Sequence, residues 1–353
     1  MNLEHADQSA FQLSVVIPSY NSAPWLPSTL AALDRALSAS GIAAEIIVVD
    51  DGSSDGTHEV LRDVRSTLRA PLVVIEQKNQ GRFLARWAGV SAAKSNEIML
   101  LDSRVLIDEF SLRHVVRTRE NGEGSGPWNA HAVTSSTAAM IGSFWDVPTH
   151  IFWGDYLSNP RPTMITPENF DRLPKGTTCF ISDRDLFLDA CRASWPDEKN
   201  AHLVSDDTQL LRFIAAATPI RIDPEFSVEY RPRETVRSFL RHSFVRGTLF
   251  VDSYAGTSAL RNAILIALVL APPLALALLV WLIASADVAG LIALVGFIAV
   301  ALLTPVAIAA LRGCTVRGQL SFLRYVVPFG CVFWAGLARG LIVHRKKLIG
   351  SQR

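Results

Sequence analysis

Charge is scarce in this chain. Only 19% of its 353 residues are Asp, Glu, Lys or Arg, against 49% hydrophobic, a balance too apolar for an ordinary soluble enzyme and one that points to membrane segments. What charge there is nearly cancels: 34 basic against 33 acidic side chains leave +1. Bulk attraction to nucleic acid is thereby excluded, and any basic function must be local. Cysteine is scarce as well. Cys179, Cys191, Cys314 and Cys331 have neither metal-ligand spacing nor the density of a disulfide scaffold, so a reduced compartment fits. The first residues, MNLEHADQSAFQ, lack a basic stretch ahead of an apolar core. The reading is that no secretory signal is present and that the first domain stays in the cytosol.

The length suits one large α/β domain plus something else. Its organising stretch is EIIVVDDGSSDGT, Glu45 to Thr57, where a buried aliphatic strand runs into two carboxylates and a Gly/Ser/Asp turn. Ligands of open α/β sheets bind at the carboxyl ends of strands, so Asp50 and Asp51 sit where a small polar ligand would be held. An Asp-rich turn capping the next helix through Asp55 or Thr57 is the alternative. Around this strand the pattern is doubly wound. Phe11 to Ser19 reads as a first strand with Pro18 at its end, Pro24 to Ser38 as a helix, Gly56 to Leu68 as another, and Leu72 to Glu76 as a third strand. The loop Asn79-Gln80-Gly81 then enters a helix carrying Arg82 and Arg86 on one face, a placement suited to phosphate oxygens or to a solvated surface. A fourth strand, Glu97 to Leu101, delivers Asp102-Ser103-Arg104.

SVVIPSYN, EIIVVDDGSSDGT, NQGRFLARWAG and IMLLD, in this order and spacing, resemble the nucleotide-binding half of a family 2 glycosyltransferase with the GT-A fold. The resemblance covers residues from about 12 to 215, and it implies a Rossmann-like α/β catalytic domain. It implies that Asp51 contacts the nucleobase, with Pro18, Tyr20 and Asp50 lining the same pocket. Asn79, Gly81 and Arg86 match the loop and helix beside the donor, and Asp102 matches the first acid of the D-x-D motif. The third D-x-D position, ordinarily an acid on a divalent metal, is Arg104. Two expectations stand side by side: Arg104 partly substitutes for the cation, or Asp102 still holds Mg2+ or Mn2+.

Further along, Thr177 to Ile181 reads as a strand, Arg184 to Ala193 as a helix, and the aromatics Trp145, Phe152, Trp153 and Tyr156 as packing. Asp206 and Asp207 stand at the start of an amphipathic helix, where acids suit the helix dipole. The resemblance assigns this acid pair the general base, Asp207, with Asp206 as runner-up.

From Arg231 to Arg261 the chain turns basic. Arg233, Arg237 and Arg241 fall on one helical stripe, with an apolar side opposite, as in helices that lie in a membrane interface. Arg241 and Arg246 are candidates for an acceptor or donor phosphate. Ala263 to Ala284 and Val288 to Leu311 are each long enough to cross about 30 Å of hydrocarbon and form a hairpin, with Arg312 and Arg317 placing its end in the cytosol. Between Arg324 and Arg339 about 14 residues are too few to cross, and Pro328 interrupts them, so an interfacial or re-entrant segment over about 322–343 is expected.

The domains are therefore 1–230, a catalytic domain; 231–260, a basic interfacial junction; and 261–353, a membrane domain of two spans. The expected protein is a multi-pass enzyme of the inner or plasma membrane with a cytosolic catalytic domain. It resembles polyisoprenyl-phosphate glycosyltransferases and would pass a hexose from a nucleotide-sugar, with inversion, to a polyisoprenyl phosphate or lipid-linked saccharide in cell-envelope polysaccharide biosynthesis. Self-association is compatible with this reading; nucleic acid is not a partner. A catalytically inactive, nucleotide-sugar-binding membrane scaffold is the alternative that Arg104 invites.

Overall fold

The computed structural model describes residues 11–195, 203–205 and 207–349. Asp206, the first acid of the expected pair and the runner-up for the base, lies outside the described residues. The chain forms two compact units.

The first unit is built on a nine-stranded sheet. Strands β1 (Leu13–Ser19), β2 (Ala44–Asp50), β3 (Leu72–Glu76) and β4 (Glu97–Leu101) are parallel, in spatial order β3-β2-β1-β4. Helices α1 (Leu26–Ser40), α2 (Thr57–Val64) and α3 (Arg82–Ala92) make the crossovers. The aliphatic runs are what a sheet covered on both faces requires. Residues of β1 and β2 are buried throughout. Pro18 does no harm because β1 pairs with β4 only as far as Val16 opposite Leu100, so the missing N–H falls where that ladder has ended.

Beyond β4 the doubly wound pattern stops and the sheet becomes mixed. β8 (Cys179–Asp183) runs antiparallel to β4 and also pairs β6 (Trp128–Thr134). β9 (Ile220–Tyr230) lies parallel to β6 and antiparallel to β5 (Val105–Ile107) and β7 (Thr163–Ile165). Helices α4 (Ser111–Glu120), α6 (Arg184–Ala193) and α7 (Thr208–Ala217) complete the unit. Because the chain leaves β1 toward β3 and returns to β4 on the other side, the switch point lies between the carboxyl ends of β1 and β4, the place where open sheets bind ligands.

The second unit gathers residues 136–159, 203–205 and everything from Arg233 onward. It contains a short 3-10 turn at Met140–Trp145, then α5 (Asp146–Leu157), α8 (Val236–Tyr254), α9 (Ala259–Ala284), α10 (Val288–Leu311), α11 (Val316–Val343) and α12 (Arg345–Ile349). Arg233 is not on the α8 stripe. Thr235 is the N-cap, accepting from Ser238 N–H at 3.2 Å, so the helix starts after it.

α9, α10 and α11 are each long and apolar enough to cross a membrane by length and composition. Segment 322–343 contains no re-entrant break, contrary to expectation: α11 is one helix of 28 residues that passes through Pro328. Arg324 and Arg339 limit an uncharged span but do not end a helix; Arg339 instead lies over the Phe244 ring. The prolines of α9 are likewise carried inside a continuous helix. Pro273 has no N–H to give Val269, four residues back, and the indole N–H of Trp334 on α11 donates to that carbonyl at 2.9 Å.

α8 and α11 pack side by side and parallel, with Phe239 near Phe329, Thr248 bonded to the Gly336 carbonyl and Val251 against Gly340. Backbones approach closely here, as small residues allow between apolar helices. A Cβ at Gly336 would sit 2.1 Å from the Phe244 carbonyl oxygen. Gly336→Leu is therefore predicted to destabilise the protein by about 1–3 kcal/mol or more, read as a lower melting temperature of detergent-solubilised protein. A parental melting temperature would contradict this packing.

Candidate functional site

Two loops are stitched together at the carboxyl ends of β1 and β2. Asn21, with φ of 50°, accepts from Ser54 N–H at 2.8 Å and donates its own N–H to Ser53 Oγ at 2.9 Å. Ser22 N–H donates to Thr57 Oγ1, and Asp55 accepts from Ala23 N–H and from Thr57 N–H. The N-cap of α2 is Gly56, which makes no side-chain cap bond, so neither Asp55 nor Thr57 takes the capping position expected of it; Asp55 instead binds the first residue of the helix and ties the first loop to it. Across the switch point, Ser22 and Ser103 share a hydroxyl hydrogen bond of 2.9 Å.

Asp50 and Asp51 are both buried. Asp50 accepts from Ser53 N–H and closes its own turn. Asp51 reaches the next loop: one oxygen accepts from Gln77 Nε2 at 2.7 Å and Gln80 N–H at 2.8 Å, the other from Gly81 N–H at 2.8 Å. A single carboxylate thereby shapes Gln77 to Gly81. Gly52, with φ of +74°, lies under that loop, and a Cβ there would stand 2.8 Å from Asn79 N; only glycine meets both demands. Tyr20 is exposed beside this pair of loops.

Arg86 and Arg82 do not share an environment. Arg82 is exposed at the start of α3, whereas Arg86 is 1% exposed and bonds Asp102 Oδ1 at 2.7 Å and the Thr177 carbonyl at 3.4 Å. Asp102 N–H donates to the Thr178 carbonyl, so the pair joins α3, the end of β4 and the start of β8. Arg104 is half-buried; its guanidinium lies 4.2 Å from the Trp25 ring and bonds the Pro232 carbonyl at 3.3 Å. Arg231 lies over the same indole at 5.3 Å, and burial and the Arg104 charge lower its pKa.

A divalent cation was the cofactor expected here. Among the described residues no three His, Cys, Asp or Glu side chains converge. Asp102, partly exposed and with one oxygen on Arg86, fits a cation held chiefly by a ligand's phosphates, as Mg2+ commonly is.

Asp207 caps α7, accepting from the N–H and hydroxyl of Thr208. Its neighbour is a residue the sequence did not single out. Lys175 lies over the Phe170 ring at 4.3 Å and donates to the Leu173 carbonyl, while Arg212 covers the same ring at 4.5 Å and pairs with Asp171. Burial pushes Lys175 down to about 8 against the opposing pull of Asp171 and Asp207, with Arg212 adding to the fall. A lone lysine in a loop carries no sequence signal of this kind. Thr177, two residues on, receives Arg86, so Asp207, Lys175, Arg86 and Asp102 follow one another along this side of the sheet.

Arg241 and Arg246 belong to the second unit. Arg241 borders a surface pocket with Thr235, Arg237 and Ser238, and Arg246 lies 4.3 Å from the Trp145 ring. Trp145 and Tyr156 pack as expected, while Phe152 is exposed.

The four-strand parallel core with a mixed extension, and acids gathered at its switch point, is the GT-A arrangement. Residues 14–125 match the model of Glycosyl transferase family 2. An undecaprenyl-phosphate 4-deoxy-4-formamido-L-arabinose transferase of Aeromonas hydrophila subsp. hydrophila is 37% identical over 92 residues, 26% of this chain and 28% of that relative. An uncharacterized glycosyltransferase of Synechocystis sp. is 36% identical over 192 residues, 50% of this chain and 60% of that one. The chain thus spans less than two thirds of these relatives. In fold it is similar to a mannosyltransferase of Pyrobaculum calidifontis solved with GDP-Man and Mn2+, with a TM-score of 0.50, 16% identity and coverage of 97% and 88% of the two chains.

Two predictions follow from the charges. Arg86 is buried, and removing its partner strands a charge. Asp102→Ala is therefore expected to lower the unfolding free energy by roughly 3 kcal/mol, seen as a fall in melting temperature without any ligand. Lys175 has a depressed pKa, so the unfolded chain holds its proton up to about 10.5 while the folded chain releases it from about 8. Stability rises with pH across that window. The melting temperature of the parent relative to Lys175→Met should climb between pH 8 and 10; a flat difference would refute the assignment.

Proposed function

We propose that the chain is an inverting glycosyltransferase that moves a sugar from a nucleotide-sugar to a lipid-linked acceptor at the cytosolic face of a membrane. The observation that carries the proposal is the joining, in one chain, of a switch-point site shaped by Asp51 and Arg86–Asp102 to a unit of apolar helices. A nucleobase would enter beside Asp51 and Tyr20, with Pro18, Asp50, Asn79 and Gly81 forming the walls. Its diphosphate would extend toward Asp102.

Asp207 is the base in this reading. It orients the acceptor oxygen, and takes its proton where the acceptor is a hydroxyl, as that oxygen attacks the anomeric carbon. The new C–O bond forms as the bond to the diphosphate breaks on the opposite face, and the nucleotide diphosphate leaves with the electron pair. An acceptor phosphate arrives already ionised, so Asp207 then orients only. Where a divalent cation is bound, it neutralises charge on the leaving diphosphate, and Asp102 is the residue to hold it. Arg241 and Arg246 meet the acceptor phosphate.

The acceptor's class is supported by the second unit and by the activity for which the Aeromonas relative is named. α8 carries Arg237, Arg241 and Arg246 and suits an anionic interface. Because α11 runs parallel along it, both are assigned to that interface, which leaves α9 and α10 as the spans and returns the basic tail to the cytosol.

The test is transfer by full-length protein in vesicles containing undecaprenyl phosphate, with UDP- and GDP-linked hexoses as donors. Asp207→Asn should lower kcat by about 100-fold or more, and Asp51→Ala should raise the donor KM. Equal background in parent and Asp207→Asn would instead favour the inactive scaffold. A cysteine added at the C-terminus should resist membrane-impermeant label applied outside intact cells.

A further inference from the structure

Asp252 is a carboxylate with no part in the reaction above, and it is 0% exposed. It sits late in α8. One oxygen receives Lys347 Nζ at 2.6 Å and His344 Nδ1 at 3.2 Å; the other accepts Ser205 N–H at 2.8 Å. Ser205 and Val204 are buried, and these residues cluster with the C-terminal helices, not with the sheet. Ser205 precedes Asp207 by two residues.

A buried carboxylate is costly unless paired, and Lys347 supplies the pairing. A backbone N–H could be satisfied by any neutral acceptor, but a charged one makes a bond roughly twice as strong. That strength is placed here on a single amide two residues before Asp207. The carboxylate also joins three separate parts of the chain: α8, the residues just past α11, and the approach to α7.

We infer that Asp252 is a positioning residue: held by Lys347 and His344, it fixes the backbone at Ser205 and so the starting point from which Asp207 is aimed. The inference rests on the reading of Asp207 as the base. A role confined to packing α8 on the C-terminal helices would affect stability alone. A positioning role affects turnover at constant donor binding, because misplacement of a reacting group by about 1 Å can cost about 100-fold.

The experiment uses full-length protein in vesicles with undecaprenyl phosphate, and whichever of UDP-glucose or GDP-mannose is turned over by the parent. Asp252→Ala is expected to lower kcat about 10- to 100-fold with the donor KM within about twofold. Hydrogen exchange of the peptide from Leu203 to Leu210 should accelerate while that of Gln77 to Gly81 stays at the parental rate. Asp252→Asn, which keeps an acceptor of the same shape, should recover part of kcat, and it carries the test if the alanine variant does not fold. Parental kcat per folded enzyme together with parental exchange at 203–210 in a folded Ala variant, with only the melting temperature lowered, overturns the inference; where the alanine variant does not fold, the same pair of parental values in the Asn variant overturns it. The two readings separate cleanly. Undiminished kcat in Asp207→Asn defeats the assignment of the base, whereas exchange at 203–210 reports on Asp252 whether or not any sugar is transferred.

Discussion

The ion pair between Arg86 and Asp102 is the contact on which the rest of the sheet edge depends. It buries a guanidinium beside the carboxyl end of β4 and neutralises it with the acid that follows that strand. Through the Thr177 carbonyl it also fixes the chain entering β8. An unpaired charge there would be intolerable, so the position of Asp102 is determined by folding before any ligand arrives. The same logic applies to Asp51, whose oxygens shape the neighbouring loop through three donors. Carboxylates that preorganise a polar pocket need little rearrangement when a ligand comes, and that preorganisation is where such sites draw their electrostatic advantage.

Much of the parallel half was legible because its physics is local. Four aliphatic strands, three of which run into Ser, Asp or Gly, announce both the sheet and the edge where ligands collect, and Arg184 to Ala193 emerges as the helix expected there. The mixed half was less legible. β6 pairs with β8 and β9, drawn from far along the chain, and no spacing rule encodes such partners. Lys175 shows the limit for a site residue: its altered proton affinity comes from burial and from Asp171, Arg212 and Asp207, all of which are brought to it by folding. Asp252 has the same character. In the sequence it is an acid in a basic helix; in the structure it is fully enclosed.

Arg104 illustrates how a residue type can mislead. Its place in the D-x-D pattern suggests a cation aimed at a diphosphate, yet the contacts seen are the Trp25 face and the Pro232 carbonyl. With Arg231 on the same indole, it belongs to a cluster joining α1 to the end of β9. Under the proposed function, charge at the diphosphate end would be met through Asp102 and through groups that the donor itself brings.

The pairing of α8 with α11 carries the membrane argument further than hydropathy does. Judged by composition, α11 can cross a bilayer. Its neighbour cannot be treated that way, since α8 contains Arg237, Arg241, Arg246 and Asp252 within 19 residues, and each charge at the centre of a bilayer costs about 2.5–3.5 kcal/mol even on the most lenient scale. The two helices run parallel with backbones nearly touching at Gly247 and Gly336, and beyond that contact Asp252 meets His344 and Lys347. One cannot sink while the other stays at the surface. The depth that suits the more highly charged helix therefore governs both, which is why composition read one helix at a time overstates the number of spans under the proposed arrangement.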